Sequence, residues 1–285
     1  MRNFFLCLLV LMTIIFVSCQ KEIDWGTGGA AVNQQLYRIK SKTGTTDSTQ
    51  IDYFYDANKR LVRELTSGVA GGQDLNNDLV ILRNSSGIIT KTVQKAAALL
   101  AAGIDSVVTV YNYNTTSSRY TSSVFQIGIP GFAVSDSAVY TYDASGKISK
   151  DEHYFAIIGL PFPLPPTLTA RNTYTYSADG KNLLTVTSDA AIPPATTLSP
   201  ATAQTYTVDA KANPLIILNE AVLLSRVGLF NANNATKAVV TNTINPTQNF
   251  TMDYTFRYNS ANKPDSSYGT RTPGGAVTAA KYFYQ

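Results

Sequence analysis

Residues 140–150 read YTYDASGKISK, and this stretch predicts the building unit of the fold. Tyr140 and Tyr142 alternate with a threonine, as aromatic and β-branched residues do along a strand. Asp143 begins a turn, because its carboxylate can bond nearby backbone, and Gly146 tolerates a positive φ angle. A second alternating run follows. The stretch therefore predicts a β-hairpin with a short loop.

The same phrase returns along the chain at intervals of about thirty residues. Its copies begin at Tyr53, Ile81, Tyr111, Tyr140, Tyr174, Tyr206 and Phe256, and Tyr282 and Tyr284 restore the spacing near the end. Thirty residues hold two strands of about eight to ten residues, a short turn and a longer return. The fold class is therefore all-β, an antiparallel up-and-down meander of about sixteen strands beginning near Gln34. An open sheet would expose long edges, so we expect a closed or strongly curled, barrel-like sheet.

Some return connections depart from the β pattern. Residues 93–102 are strong helix formers followed by Gly103 as a stop, and residues 220–226 predict a second short helix. Apolar, proline-rich loops occur at 129–132, 160–166 and 192–194, at the pole opposite the Asp/Gly turns. These loops would either plug one end of a barrel or face a partner or lipid.

The amino-terminal residues predict export. A basic start precedes an apolar run at 4–17, which is shorter than the ~20 residues that span a bilayer. Phe16-Val17-Ser18-Cys19 resembles the lipobox of bacterial lipoproteins. This resemblance implies cleavage before Cys19, which removes residues 1–18, and acylation of Cys19. An ordinary signal peptide containing a cysteine is the alternative. The mature chain would keep Cys19 alone, since Cys7 is removed, so it could form no internal disulfide.

Residues 20–24, Gln-Lys-Glu-Ile-Asp, are similar to the short charged signal that sends lipoproteins of Bacteroidetes-type bacteria to the cell surface. We expect an outer-membrane protein, anchored by lipid and facing the cell surface, with the periplasmic face as the alternative. Residues 19–33 would form a glycine-rich tether, and residues 34–285 a single β domain. Without Arg2, 22 basic residues stand against 19 acidic ones, a net charge of +3 that gives no reason to expect a nucleic-acid partner.

Few residues suggest chemistry. His153, the one histidine, is flanked by Asp151 and Glu152, but neighbours on a strand face opposite ways, so we expect a histidine on the strand surface. Residues 74–78 resemble the start of a calcium loop but lack the glycine and glutamate of that loop, which predicts a polar loop. The recurring Asp56, Asp143 and Asp209 occupy turn positions. We therefore assign no catalytic residue, metal or cofactor.

The tyrosine stripe is the remaining candidate site. Tyr140, Tyr142, Tyr174 and Tyr176 fall on equivalent faces of equivalent strands, where they could stack on a ligand such as a sugar. Alternatively they pave the interior of the sheet, where cross-strand aromatic pairs stabilise it.

Tyr142-Asp143-Ala144-Ser145-Gly146-Lys147-Ile148 is similar to the YD repeat of RHS-type proteins, although those repeats are shorter and usually carry Arg where this chain has Lys147. Together with the lipobox, the chain resembles uncharacterised Bacteroidetes lipoproteins with a porin-like β fold. That resemblance implies a fold and a location and brings no catalytic residues. We therefore expect a non-enzymatic binding or scaffolding protein, attached to the membrane through acyl chains on Cys19, with a glycan, lipid or envelope protein as partner. The alternative is a surface glycan hydrolase that uses a carboxylate pair.

Overall fold

The computed structural model describes residues 35–44, 46–129, 132–159, 165–191, 197–214, 223–224 and 231–285. These residues form seventeen strands, one short helix α1 (Ala97–Ala101) and one 3₁₀ turn (Pro246–Gln248). The strands are β1 (Leu36–Thr43), β2 (Asp47–Tyr55), β3 (Leu61–Ala70), β4 (Gln73–Asp74), β5 (Asn77–Arg83), β6 (Ile89–Ala96), β7 (Val107–Asn114), β8 (Arg119–Ile129), β9 (Phe132–Tyr142), β10 (Ile148–Ile158), β11 (Thr167–Tyr176), β12 (Leu183–Ala190), β13 (Ser199–Ala212), β14 (Asn233–Asn242), β15 (Phe250–Tyr258), β16 (Pro264–Thr272) and β17 (Ala276–Tyr284).

Hydrogen bonds join these strands into one closed antiparallel ring. Each strand pairs with its neighbours in sequence, except that β3 pairs onward with β5 and the two-residue β4 lies beside the end of β3. The ring closes where β1 pairs with β17, from Leu36 opposite Tyr284 to Thr43 opposite Thr278. The fold is thus a sixteen-stranded barrel with one additional short strand, and the predicted strand number and closure are confirmed.

Hairpin turns follow β2, β5, β7, β9, β11 and β15 at one end of the barrel, which we call the turn pole. In four of them the first residue, Asp or Asn, accepts a hydrogen bond from the backbone N–H four positions later. These pairs are Asp56 with Arg60, Asn84 with Ile88, Asp143 with Lys147 and Asn259 with Lys263, at 2.9 to 3.1 Å. The residue before the last has a positive φ, as Gly146 does at 81°. This is the type I turn with a bulge that three-residue hairpin loops prefer.

An apolar layer closes the turn pole from inside. The first residue of the returning strand, or in β8 the second, is buried in each of these hairpins, and where β17 meets β1 the first residue of β1 takes that position. The layer consists of Leu36, Leu61, Ile89, Tyr120, Ile148, Leu183 and Pro264. In the long β13–β14 connection, Asn231 takes the corresponding place and accepts a hydrogen bond from the Leu183 N–H at 2.5 Å. Burial of each aliphatic member contributes about 1.5 to 3 kcal/mol.

The second tyrosine of each Tyr-x-Tyr pair contacts the preceding hairpin. Tyr176 donates its hydroxyl to the carbonyl oxygen of Ile148 at 2.9 Å, and Lys147, from the same preceding turn, lies 5.4 Å from the centre of the Tyr176 ring. Equivalent hydroxyl bonds run from Tyr55 to Leu36, from Tyr142 to Tyr120 and from Tyr284 to Pro264. The repeated Tyr-x-Tyr spacing therefore serves the contact between neighbouring hairpins.

The two faces of the barrel wall differ in chemistry. Tyr53 and Tyr174 pack with the aliphatic side chains of the interior, whereas residues next to interior ones point outward. Among the outward residues are ion pairs between adjacent strands, such as Arg63 with Asp78 at 2.7 Å. The other outer pairs are Arg38 with Asp52, Glu152 with Arg171 and Lys237 with Asp253.

The predicted helix at 93–102 is wrong in its first half. Residues up to Ala96 belong to β6, because Val93 and Gln94 have strand partners on both sides, in β5 and β7. The helical part begins at Ala97, and Gly103 ends it with a φ of 77°, as expected of a stop.

Asp209 does not begin a turn, contrary to the sequence expectation. Strand β13 continues to Ala212, and the Asp209 carboxylate instead accepts bonds from the Tyr258 hydroxyl and the Asn234 N–H. A long connection replaces the short turn here, and it permits a different use of the carboxylate. Of the second predicted helix only Leu223 and Leu224 fall within the described residues, and both are buried in the interior.

Candidate functional site

The four tyrosines predicted to face a ligand lie on the interior face of β9 and β11, near the turn pole. Each hydroxyl is already bonded within the protein: Tyr140 with Ser123 Oγ at 2.7 Å, Tyr174 with Asp151 at 2.7 Å, and Tyr142 and Tyr176 with backbone carbonyls. The hydroxyl hydrogens of Tyr142, Tyr174 and Tyr176 are used in these bonds, so a ligand could accept a hydrogen bond from them only by replacing one, although it could still donate to their oxygens. Their role as ligand-facing groups stays a prediction.

A polar network crosses the interior next to these tyrosines. His153 lies between two carboxylates, with Nδ1 2.8 Å from Asp136 and Nε2 3.4 Å from Asp151. Asp151 also accepts hydrogen bonds from the Tyr174 hydroxyl and from Asn172 Nδ2, the latter at 2.8 Å. Strands β9, β10 and β11 thus each contribute to one connected cluster.

The cluster fixes the charge of its members. Burial alone would lower the pKa of His153, but the hydrogen bonds to Asp136 and Asp151 outweigh it and raise that pKa to about 10. Asp151 is buried, which alone would raise its pKa, yet His153, Tyr174 and Asn172 together lower it. Burial and the Asp151 charge raise the pKa of Tyr174. The cluster therefore holds an imidazolium between carboxylates at neutral pH.

The prediction of a strand-surface histidine is wrong, because His153 faces the interior. Glu152 does diverge from it, and pairs outside with Arg171 at 2.7 Å. The missed signal was the spacing Asp151-x-His153, which puts both residues on one face of β10. Asp136 could not be assigned from sequence, since it joins the cluster only through the register of β9 with β10.

A second interior region is a cavity of about 190 Å³ against β13 to β17 and β1. Its wall includes alternate residues of β15, namely Phe250, Met252, Tyr254 and Phe256, and it is lined by aromatic and aliphatic side chains for the most part. The absence of a side chain at Gly269 leaves room for the Tyr254 ring, because a Cβ at residue 269 would lie 2.9 Å from that ring. The period-two aromatic run of β15 was the sequence signal for this surface, and it was not singled out.

Two side-chain donors of the cavity have no hydrogen-bond partner among the described residues. One is the Tyr254 hydroxyl, and burial raises the pKa of this phenol to about 12. The other is Gln204 Nε2. The oxygen of the same amide, Oε1, accepts a hydrogen bond from the Tyr206 hydroxyl at 2.6 Å.

Other predicted features lie wholly or mostly outside the described residues. These are residues 1–18, Cys19, the tether at 19–33 and most of the three proline-rich loops. The predicted polar loop at 74–78 is reduced to Leu75 and Asn76, because Asp74 ends β4 and Asn77 begins β5, and Asp74 accepts a hydrogen bond from the Asn76 N–H at 2.8 Å. Within the described ranges no group of three or more His, Cys, Asp and Glu side chains is arranged to hold a metal ion. Among those same residues, no helix has the length and apolar character needed to cross a membrane.

Comparison with solved structures identifies the class of fold. The chain is similar to a porin-like protein from Bacteroides uniformis, at 13% identity and a TM-score of 0.52, over 88% of this chain and 98% of that one. It is also similar to a porin-like protein from Bacteroides vulgatus, at 9% identity and a TM-score of 0.54, over 89% and 99% of the two chains. No protein-family model and no curated protein matches the sequence. At such identities the likeness is one of fold, and the expected porin-like β fold is confirmed.

Proposed function

We propose that the protein is a lipid-anchored component of the bacterial outer membrane with a non-enzymatic binding role, and that its barrel lies outside the bilayer. The observation that carries this proposal is the distribution of polarity. Apolar and tyrosine side chains pack inside the barrel beside the Asp136–His153–Asp151 cluster, and ion pairs such as Arg63 with Asp78 lie on its outer face. A membrane-spanning barrel needs an outer band of apolar side chains, because a Lys or Arg facing lipid at mid-membrane costs about 2 to 4 kcal/mol.

Attachment would then come from Cys19 rather than from the barrel. The Phe16-Val17-Ser18-Cys19 motif supports acylation, and one diacylated residue with a further acyl chain is sufficient for stable anchoring. Residues 20–24 support transfer to the cell surface, and the glycine-rich residues that follow would hold the barrel away from the membrane. The partner would be a glycan, a lipid or an envelope protein.

Radiolabelled palmitate tests the anchor. In a host that processes bacterial lipoproteins, the wild-type protein should incorporate label and sediment with membranes. Cys19→Ala should lose the label and appear in the soluble fraction, whereas the matched control Cys7→Ala should keep the label, since Cys7 lies in the removed segment. A Cys19→Ala protein that still resists alkaline extraction from membranes would contradict a barrel outside the bilayer.

The hydrolase alternative is tested separately. Asp136 and Asp151 are an acid pair facing the interior, but His153 lies between them and bonds both. A glycosidase pair needs a free carboxylic acid and a carboxylate facing the same substrate. We therefore expect a panel of envelope and host polysaccharides to show binding without release of reducing ends. Release that is lost in Asp151→Asn would favour the hydrolase.

A further inference from the structure

Arg271 lies on β16 beside the β13–β17 cavity, in contact with Phe250 of its wall but not itself among the residues that line it. Arg271 is opposite Met252 in the β15–β16 register and shares the inward face of β16 with Gly269. Its guanidinium carbon lies 4.3 Å from the centre of the Phe250 ring, and both Phe250 and Met252 line the cavity. The positive charge is therefore in contact with the cavity wall.

Arg271 lacks an acidic partner. No carboxylate of the described residues lies within ion-pair distance of it, and none of those residues accepts a hydrogen bond from its guanidinium. The contact with Phe250 uses none of the N–H donors of the guanidinium as hydrogen bonds to the described residues. Those donors match the two oxygens of a carboxylate, which arginine binds in a bidentate way.

The remainder of the cavity is suited to an apolar ring. The alternate residues of β15 form a ladder of aromatic side chains, with 6.4 Å between the ring centres of Tyr254 and Phe256. The volume of about 190 Å³ exceeds the apolar cavity of about 150 Å³ that binds benzene in another protein. A monosaccharide carries more hydroxyls than this wall can pair, because Tyr254 Oη and Gln204 Nε2 are its unpartnered side-chain donors among the described residues and most of the lining is apolar.

We propose that this cavity binds a small monocarboxylate carrying one apolar ring, with the carboxylate on Arg271 and the ring between β13 and β15. The inference rests on the proposed binding role and adds to it a small-molecule ligand, distinct from the glycan, lipid or envelope-protein partner. Tyr254 Oη and Gln204 Nε2 would hydrogen-bond a polar substituent on the ring.

Isothermal titration of the purified full-length protein with 3-phenylpropionate tests the site, and 3-phenylpropan-1-ol serves as the uncharged probe. The wild-type protein should bind the carboxylate about tenfold more tightly than the alcohol, because one charge-assisted contact is lost. Arg271→Gln should weaken carboxylate binding about tenfold and leave alcohol binding unchanged. Arg257→Gln is the matched control, since Arg257 is an exposed arginine on the neighbouring strand β15.

Filling the cavity gives a second measurement. Ala238 lines it from β14, opposite Met252, so Ala238→Leu should weaken binding of both probes. Two results would overturn the carboxylate assignment: equal affinity of the wild type for the two probes, or binding unaffected by Arg271→Gln. Neither result would contradict the proposed binding role. Absence of binding of both probes would overturn the site, and the palmitate experiment on Cys19 would still decide the anchor.

Discussion

The positive charge of His153 depends on the side chains next to it. Its ring lies between Asp136 and Asp151, and Tyr174 faces the same cluster from β11. An ion inside a protein is stabilised only while its counterions remain, so removing one partner leaves an uncompensated charge. The His153 site should therefore matter to stability even though no catalysis is assigned to it.

We predict that His153→Gln lowers the free energy of unfolding by about 3 kcal/mol at pH 6, since the buried Asp151 and the partly buried Asp136 then lose their cation. The pKa of His153 is raised in the folded state, from 6.5 to about 10, so its stabilisation is complete below pH 6.5 and is lost as the pH rises toward 10. Urea denaturation at several pH values from 6 to 10 measures this. The wild type should lose stability across that window, and the difference from the variant should shrink.

Glu152→Gln is the control for that experiment. Glu152 is next in sequence but pairs with Arg171 on the outer face, where an ion pair contributes about 1 kcal/mol or less. This variant should keep the wild-type pH dependence. A constant difference between His153→Gln and the wild type from pH 6 to 10 would show that His153 is not charged in the fold.

The hairpin turn is the element on which the repeat depends. In the turn at 143–147 the Asp143 side chain accepts the Lys147 N–H, and Gly146 supplies the left-handed residue with a φ of 81°. Lys59 and Asn262 hold the same place in other turns, with φ of 60° and 56°. The left-handed conformation, rather than glycine itself, is what the units share.

We predict that Gly146→Ala destabilises the barrel by about 1 kcal/mol, because a Cβ is unfavourable in the left-handed region. Gly128→Ala is the matched control: Gly128 lies in strand β8, and a Cβ there would meet no atom within 4 Å. Its effect should be near zero or slightly stabilising, since alanine restricts the unfolded chain. Urea midpoints of both variants provide the comparison, and equal midpoints would contradict the conformational argument.

The hairpins could be predicted because the residues that determine each strand and turn are neighbours in the sequence. Alternation marks the strands and Asp or Asn followed by Gly marks the turns, so the repeat at Tyr140 could be extended to the whole sheet. Contacts that depend on register were not predictable. Asp136 joins His153 only through the pairing of β9 with β10, and Arg271 meets Phe250 only through β15 with β16. The turn predicted at Asp209 was wrong for a related reason. Its carboxylate accepts a hydrogen bond from the Tyr258 hydroxyl on β15, a contact that the local sequence does not show.

At the scale of the whole molecule, the two ends of the described chain behave as an unconnected hairpin. The Gln35 N–H bonds to the Gln285 oxygen at 2.9 Å, and the Gln285 N–H bonds to the Gln35 oxygen at 3.0 Å. In the turn at 143–147 the Asp143 N–H bonds to the Lys147 oxygen at 2.8 Å, as the Gln285 N–H does to the Gln35 oxygen, while the Asp143 oxygen accepts from the Gly146 N–H of the turn instead of from Lys147. Gln285 and Gln35 thus occupy the positions that Asp143 and Lys147 have in a connected unit. Closure of the barrel uses the same strand register as its hairpins.

This equivalence predicts that three residues can connect the ends. Ala-Ser-Gly, the sequence between Asp143 and Lys147, placed between Gln285 and Gln35 should complete an ordinary turn. The chain can then be opened between Thr115 and Thr116, which are exposed in the turn after β7. We expect this circular permutant of residues 35–285 to unfold cooperatively, within about 2 kcal/mol of the linear chain, because every strand keeps both partners.

The contrasting variant ends at residue 275 and lacks β17. Strands β1 and β16 then each lose a partner, and their backbone groups and the interior become exposed at two open edges. Urea unfolding followed by circular dichroism should show a cooperative transition for the permutant and none, or aggregation, for the truncated chain. If instead the truncated chain kept the stability of the linear protein, closure would not be what stabilises the barrel, and the hairpins would have to hold together through the apolar layer at the turn pole alone.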